Sequence, residues 1–325
     1  MIVTCIAHTK HLTSIRFSLV SVSLVCFIHI CSISTVLAEP LHVVSYNVEN
    51  LFHPTNDSIT DDDEWTAEGS RRWSYKRYYQ KEENIAKVLT NIGEWDGVDV
   101  VGLQELENDL CVKRLCYTLR RNEYDFVHYE SPDKRGIDVA LIYKKARVDT
   151  IRTRVIEVDL KTETTRDILY VCAQIDKRDT IHFFVCHMPS QRGGTAESEW
   201  KRVIAKRVLQ EAVDSILITE PEAKIIVMGD MNSEAKNDLN GLNNKMLELE
   251  KKGLGTHKWH GRWSCLDQFY TSAPLDSISD VRIYNEEWIQ EPDDKYLGLK
   301  PKRTYNGYRY QNGYSDHLPI ILTIP

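Results

Sequence analysis

The sequence has no G-x-S-x-G elbow, no Walker A lysine loop, no H-E-x-x-H pair and no clustered cysteines. These absences remove the serine-hydrolase, P-loop and zinc-peptidase mechanisms, and the lack of clustered cysteines fits a structural zinc site poorly. Positive charge is also scarce. The 325 residues carry 41 Lys and Arg against 48 Asp and Glu, net −7, and setting aside Lys10 and Arg16 of the first 38 residues lowers this to −9. Bulk charge therefore cannot hold a polyanion, and a phosphate substrate must be gripped locally, with a cation supplying the missing positive field. No internal repeat, low-complexity tract or Gly/Ser linker divides the chain after residue 38, which argues for one domain over 39–325.

The first 38 residues have their own pattern. Lys10 and Arg16 precede an apolar stretch from Phe17 to Leu37 that ends on Val36-Leu37-Ala38, the layout of a secretory signal. The rival reading is an uncleaved membrane anchor, since the stretch is long enough to span a bilayer. Either way the expectation is an exported protein, periplasmic, extracellular or membrane-associated. Of eight cysteines, five lie beyond residue 38: Cys111, Cys116, Cys172, Cys186 and Cys265. Cys172 and Cys186 fall on consecutive strand-like runs. They are read either as a disulfide across a hairpin or as buried free thiols.

Short β-branched runs recur at 41–46, 98–103, 137–143, 167–175, 180–186, 224–229 and 318–324, and these are predicted strands. Ile85, Val88, Leu89 and Ile92 are spaced for one helix face, and Trp200, Val203, Ile204, Val208 and Leu217 suggest a second amphipathic helix. The mixture predicts an α/β protein, a sandwich of two sheets flanked by helices. Polar residues stand at the exits of the apolar runs: Asn47, Glu105, His187, Asp230 and Asn232. Strands lying side by side would bring them to one edge. Carboxylates and amides without paired soft ligands suit Mg²⁺ or Mn²⁺. With two histidines they suggest metal-assisted hydrolysis of a phosphate ester.

Seven motifs, SYNVENLF (45–52), LQELEN (103–108), RGIDVALIY (135–143), CHMPSQRGG (186–194), GDMNSE (229–234), LDQFYTS (266–272) and YSDHLP (314–319), stand in the order found in the endonuclease/exonuclease/phosphatase superfamily. The sequence resembles that deoxyribonuclease I-like group from about residue 41 to its end, and in particular secreted bacterial members regarded as extracellular nucleases. The resemblance implies a four-layer α/β/β/α sandwich with two central mixed sheets and the site at one edge. It implies Asn47, Glu105 and Asp316 as metal ligands, and Asp267 as the acid that orients a catalytic His317. It also implies His187 and Asp138 as a second histidine–acid pair, and Asp230 and Asn232 as the residues that position water and phosphate. Asp230 and His317 both remain open as the base.

Around these, Arg192 before a helix, and Arg303 and Tyr305 in the basic, Tyr-rich loop 300–314, are expected to contact substrate. The run Asp61–Glu64 is read as a solvated loop, with a structural Ca²⁺ as the alternative. The function expected is an exported Mg²⁺-dependent (or Mn²⁺-dependent) nuclease acting on DNA or RNA as a monomer without an obligate protein partner. The alternatives are a phosphatase or phospholipase-like esterase, and a non-catalytic binding protein on the same fold.

Overall fold

The computed structural model of the protein describes residues 39–325 apart from Arg121 and Arg192. The signal-like stretch 1–38 lies outside the described residues. No helix among them is long and apolar enough to cross a membrane.

In chain order the main elements are β1 (Leu41–Leu51), α1 (Tyr75–Gly93), β2 (Val100–Leu106), α2 (Asp109–Arg120), β3 (Tyr124–His128), β4 (Asp138–Lys144), β5 (Val148–Ile156), β6 (Ile168–Ile175), β7 (Asp179–His187), α3 (Thr195–Thr219), β8 (Lys224–Asp230), β9 (Leu242–Asn244), β10 (Asp267–Ser272), β11 (Asp280–Ile283) and β12 (Ile320–Ile324). One six-stranded sheet runs β11-β12-β1-β2-β4-β3 and the other β5-β6-β7-β8-β10-β9. Both are mixed. The β1–β2 pair and the β7–β8 pair are parallel, and the other pairs are antiparallel. Each parallel pair needs a crossover, supplied by α1 and α3 respectively.

Strand parity explains the four layers. Successive side chains point to opposite faces, so Val43, Val100 and Leu322 face Phe183, Ile226, Met228 and Phe269 between the sheets. Their neighbours Val44, Val101 and Ile321 pack beneath α1 and α2, while Phe184, Cys186, Ile225 and Val227 pack beneath α3. Burial on both faces is why these strands read as unbroken apolar runs. Gly102 lets the sheets approach at the centre, because a Cβ there would lie 2.8 Å from Met228 Sδ.

Ile85, Val88, Leu89 and Ile92 all turn inward, as their spacing predicts. The second helix is placed correctly, but its predicted stripe is partly wrong. Trp200 and Val203 are exposed, and α3 packs through Ala205, Leu209, Ala212, Val213 and Ile216. Of the predicted stripe, Ile204, Val208 and Leu217 do pack against this cluster, half-buried, and the small Ala205 and Ala212 let the helix lie close to the sheet. The disulfide reading is corrected as well. All five described cysteines are free and buried, and the β6–β7 register sets Cys172 opposite His182 rather than Cys186.

Candidate active site

Register assembles one row of the site directly. His187 ends β7 opposite Asp230 at the end of β8, and Asp267, the first residue of β10, lies opposite Asp230 on its other side. Gly229 is required beside Asp230: its φ is +141°, and a Cβ would fall 1.9 Å from the Cys186 carbonyl oxygen. From the other sheet, Asn47 on β1 pairs with Gln104 on β2, and both strands then become irregular. Glu105 takes a left-handed φ of 67° at this bulge, a device that re-aims a side chain at a sheet edge. Its Oε2 accepts a hydrogen bond from the Asn50 N–H at 3.0 Å. Asn47 Nδ2 donates to Asp230 Oδ2 at 3.1 Å and so ties the two sheets together at this edge.

The loop before β12 completes the site. The Ser315 hydroxyl donates to the Asn47 carbonyl at 2.7 Å and accepts the His317 N–H at 3.0 Å. His317 Nδ1–H donates to Asp267 Oδ2 at 2.7 Å, which leaves Nε2 directed at Asp230 Oδ2, 3.9 Å away. The expected Asp267–His317 pair is therefore present. Asn232 receives its place from its own backbone, its N–H donating to Asp230 Oδ1 at 2.8 Å, and its side-chain amide donates to the Met188 carbonyl at 3.0 Å.

The two histidines are held in opposite charge states. Burial alone would lower the pKa of His317, but Asp267, by charge and hydrogen bond, and then Asp230 and Asp316, raise it well above the ordinary range. Burial lowers the pKa of His187 far below its usual value, and Arg166, Arg135 and His317 add to the effect. His187 Nε2 stands 3.8 Å from Glu105 Oε1 and 3.7 Å from Asp230 Oδ2. Burial also pushes Asp230 up to about 7, against the pull of His317. Burial would raise Asp316 too, yet Arg303 and His317 hold it below the ordinary carboxylate range.

The pair expected between His187 and Asp138 is not formed. Asp138 Oδ1 accepts the Ser131 N–H at 3.0 Å as well as its hydroxyl, and Oδ2 lies 3.4 Å from His128 Nε2. The physical reason is that β3 delivers a nearer imidazole, His128, to the start of β4. Tyr305 is corrected from substrate contact to core. It is buried among Trp65, Trp73 and Tyr310, and its hydroxyl donates to the Arg71 carbonyl at 2.9 Å. Arg303 stands at the site but bridges Glu49 Oε1 (3.2 Å) and Asp316 Oδ2 (2.7 Å). Arg192 lies outside the described residues. In the 61–64 run, Asp62 turns inward to accept the Asp57 N–H at 3.0 Å. Neither of the two groups of three ligand-type side chains found among the described residues includes this run: one is His257, Asp316 and His317 at the catalytic loop, the other His128, Glu130 and Asp138.

Sequence reasoning missed the supports. Lys81 of α1 is buried and donates to Thr304 Oγ1 at 2.5 Å and the Tyr314 carbonyl at 2.6 Å, with Glu49 Oε2 3.9 Å away. Burial lowers its pKa to about 8. Lys81, Glu49 and Arg303 thus form a chain of charges ending on Asp316. The signal was available, because Lys81 falls four residues before Ile85 on the inward stripe of α1. Arg166, also buried, donates to the carbonyls of His187 (3.3 Å) and Met188 (2.9 Å) and to Asp133 (2.9 Å), so it fixes the end of β7. No sequence pattern marks it. His257 pairs with His317 through an isolated backbone bridge, the rings 4.9 Å apart.

The donor set suits a hard divalent cation. Glu105 accepts a hydrogen bond at Oε2 alone, the Asn47 amide oxygen accepts the Glu49 N–H at 3.0 Å and Asp316 Oδ2 accepts Arg303 at 2.7 Å; oxygen donors of this kind are those Mg²⁺ and Mn²⁺ take, and these three residues would hold such an ion.

Solved structures share the fold at low identity. A truncated TDP2 from Caenorhabditis elegans aligns at 17% identity over 88% of this chain and 97% of its own, with TM-score 0.58. A mannosyl-6-phosphatase from Bacteroides thetaiotaomicron aligns at 16% over 88% and 100%, TM-score 0.55. The human Nocturnin catalytic domain with bound sulfate aligns at 16% over 88% and 94%, TM-score 0.53. No curated protein sequence matches the chain. The model of the Endonuclease/Exonuclease/phosphatase family matches residues 42–325, and the chain belongs to that family of phosphate-ester hydrolases, whose members typically use a divalent metal.

Proposed function

We propose that the protein is an exported Mg²⁺-dependent phosphodiesterase that cleaves DNA or RNA. The observation that carries this reading is the row His317–Asp267 and Asp230 set against the oxygen ligands Asn47, Glu105 and Asp316. When bound by those three residues, the cation supplies Lewis-acid polarisation of the phosphoryl group and offsets the charge that builds on the departing oxygen. Asp230, fixed by Asn47 and by the Asn232 N–H, orients the attacking water and takes its proton. His317, kept charged by Asp267, donates Nε2–H to a phosphoryl oxygen as negative charge develops there. His187 is neutral and acts as a fixed hydrogen-bonding group beside Glu105 and Asp230. A polymer is favoured by the hairpin that begins at His257 and carries Trp259, exposed although it stacks on His260, because exposed aromatic rings stack on bases. A TDP2 from Danio rerio of the same fold is complexed with a single-strand DNA product (17% identity, TM-score 0.53). Export rests on the basic start and apolar run of residues 10–38.

The net negative charge favours a second reading, a small phosphoester substrate bound locally. Incubating the purified protein with single-stranded DNA, duplex DNA, RNA, bis-p-nitrophenyl phosphate and p-nitrophenyl phosphate, with Mg²⁺ and with EDTA, separates the two. EDTA-sensitive scission of polymer is expected. Release from p-nitrophenyl phosphate alone would replace the nuclease reading with a phosphatase.

A further inference from the structure

Asp138, displaced from the catalytic row, belongs to a second cluster. His128 closes β3, Glu130 follows two residues later and Asp138 opens β4. One ligand atom from each lies within 4.8 Å of the others. The imidazole and the Asp138 carboxylate are 3% and 2% exposed, yet His128 Nε2 and Asp138 Oδ2 make no hydrogen bond although they face each other at 3.4 Å. Buried polar atoms without partners are uncommon and call for a reason.

The cluster is built to present these atoms. Ser131 holds Asp138 Oδ1 by both its N–H and its hydroxyl, which leaves Oδ2 turned toward the imidazole. This is the arrangement by which an outer hydrogen bond orients a ligating carboxylate. Glu130 brings a second carboxylate to the same point. Two carboxylates meeting beside an imidazole bring three ligand atoms to one point, and a divalent cation would satisfy them together. The donors also differ in kind from those of the catalytic edge. One imidazole nitrogen with two carboxylates is the set a borderline ion such as Zn²⁺ takes, with water in the fourth position, whereas the all-oxygen catalytic set suits Mg²⁺.

We infer that His128, Glu130 and Asp138 form a second divalent-cation site, selective for Zn²⁺ over Mg²⁺ and separate from the catalytic metal. Its position gives it a structural task. It clips the end of β3 to the start of β4 and so closes the connection that carries Asp133, the carboxylate that holds Arg166 (2.9 Å) and through it the carbonyls of His187 and Met188.

The test is Zn²⁺ uptake by the whole purified protein in millimolar Mg²⁺, followed by equilibrium dialysis and by melting temperature. The variants are Glu130→Gln, at an exposed position where folding is not at stake, His128→Gln, and His257→Gln as the control at the other ligand cluster. Wild type and His257→Gln should each bind one equivalent at micromolar Zn²⁺ and melt higher for it, and both effects should disappear in Glu130→Gln and His128→Gln. Undiminished uptake in those two variants, loss only in His257→Gln, or no Zn²⁺ uptake by wild type would overturn the inference. In the last case the two carboxylates share a proton in place of a metal.

Discussion

His317 and His187 stand on the same carboxylate, Asp230, at 3.9 and 3.7 Å, and yet they are opposites. The first has an acid on its far nitrogen and is held charged. The second has a buried Nδ1 with no hydrogen-bond partner and is held neutral by burial and two nearby arginines. A charge state therefore comes from what sits behind an imidazole, and the carboxylate in front of it does not decide the matter. This difference assigns the roles: a charged donor on one side of Asp230 and a neutral positioning group on the other.

Removing the charged side should cost most. His317→Ala and Asp230→Ala are each expected to lower kcat by about 10³-fold or more, in the range lost with a positioned acid or base, with far-ultraviolet circular dichroism showing a retained fold. Asp267→Asn leaves the imidazole in place but removes the charge behind it, and a loss of roughly 10²-fold is expected, the low end of what a positioned acid or base contributes. The sign of its pH effect follows from the raised pKa. His317 works while protonated, so activity falls as pH climbs through that pKa, and Asp267→Asn should move the alkaline limb of kcat/KM to lower pH. His187→Gln should cost only about tenfold and leave that limb where it was, because His187 carries no proton to lose in the working range. A shift of the limb in His187→Gln would erase the contrast between the two histidines. Tyr305→Phe should change kcat and KM less than twofold and lower stability by about 1 kcal/mol, measured by urea unfolding, since its hydroxyl donates to the Arg71 carbonyl and accepts from Arg77, both away from the catalytic row.

The same contrast shows what the sequence could reveal. The apolar strands and their polar exits were legible because burial on both faces leaves runs without alternation, and because parallel and antiparallel registers bring those exits together. Asp267 and His317 were recognisable as a pair because each lies in a short motif of its own. The partner of His187 was not legible. Asp138 opens the right strand, but its contacts are decided by His128, which ends a five-residue strand with no apolar run to announce it. Tyr305 failed for a related reason: a tyrosine in a basic loop reads as a surface group until Trp65 and Trp73 are seen to enclose it. Lys81 and Arg166 are buried cations, and such residues are so seldom enclosed that only the structure shows them bracing Asp316 and the end of β7.

The central claim is that a charged His317, set by Asp267 against Asp230 in a metal-assisted site, drives phosphodiester hydrolysis. Its most direct test is the initial rate of bis-p-nitrophenyl phosphate and single-stranded DNA hydrolysis by wild type and His317→Gln in Mg²⁺, with an EDTA control. The account predicts cleavage that EDTA abolishes and that falls by about 10³-fold in the variant. Equal rates in the two proteins, or hydrolysis that persists in EDTA, would contradict it.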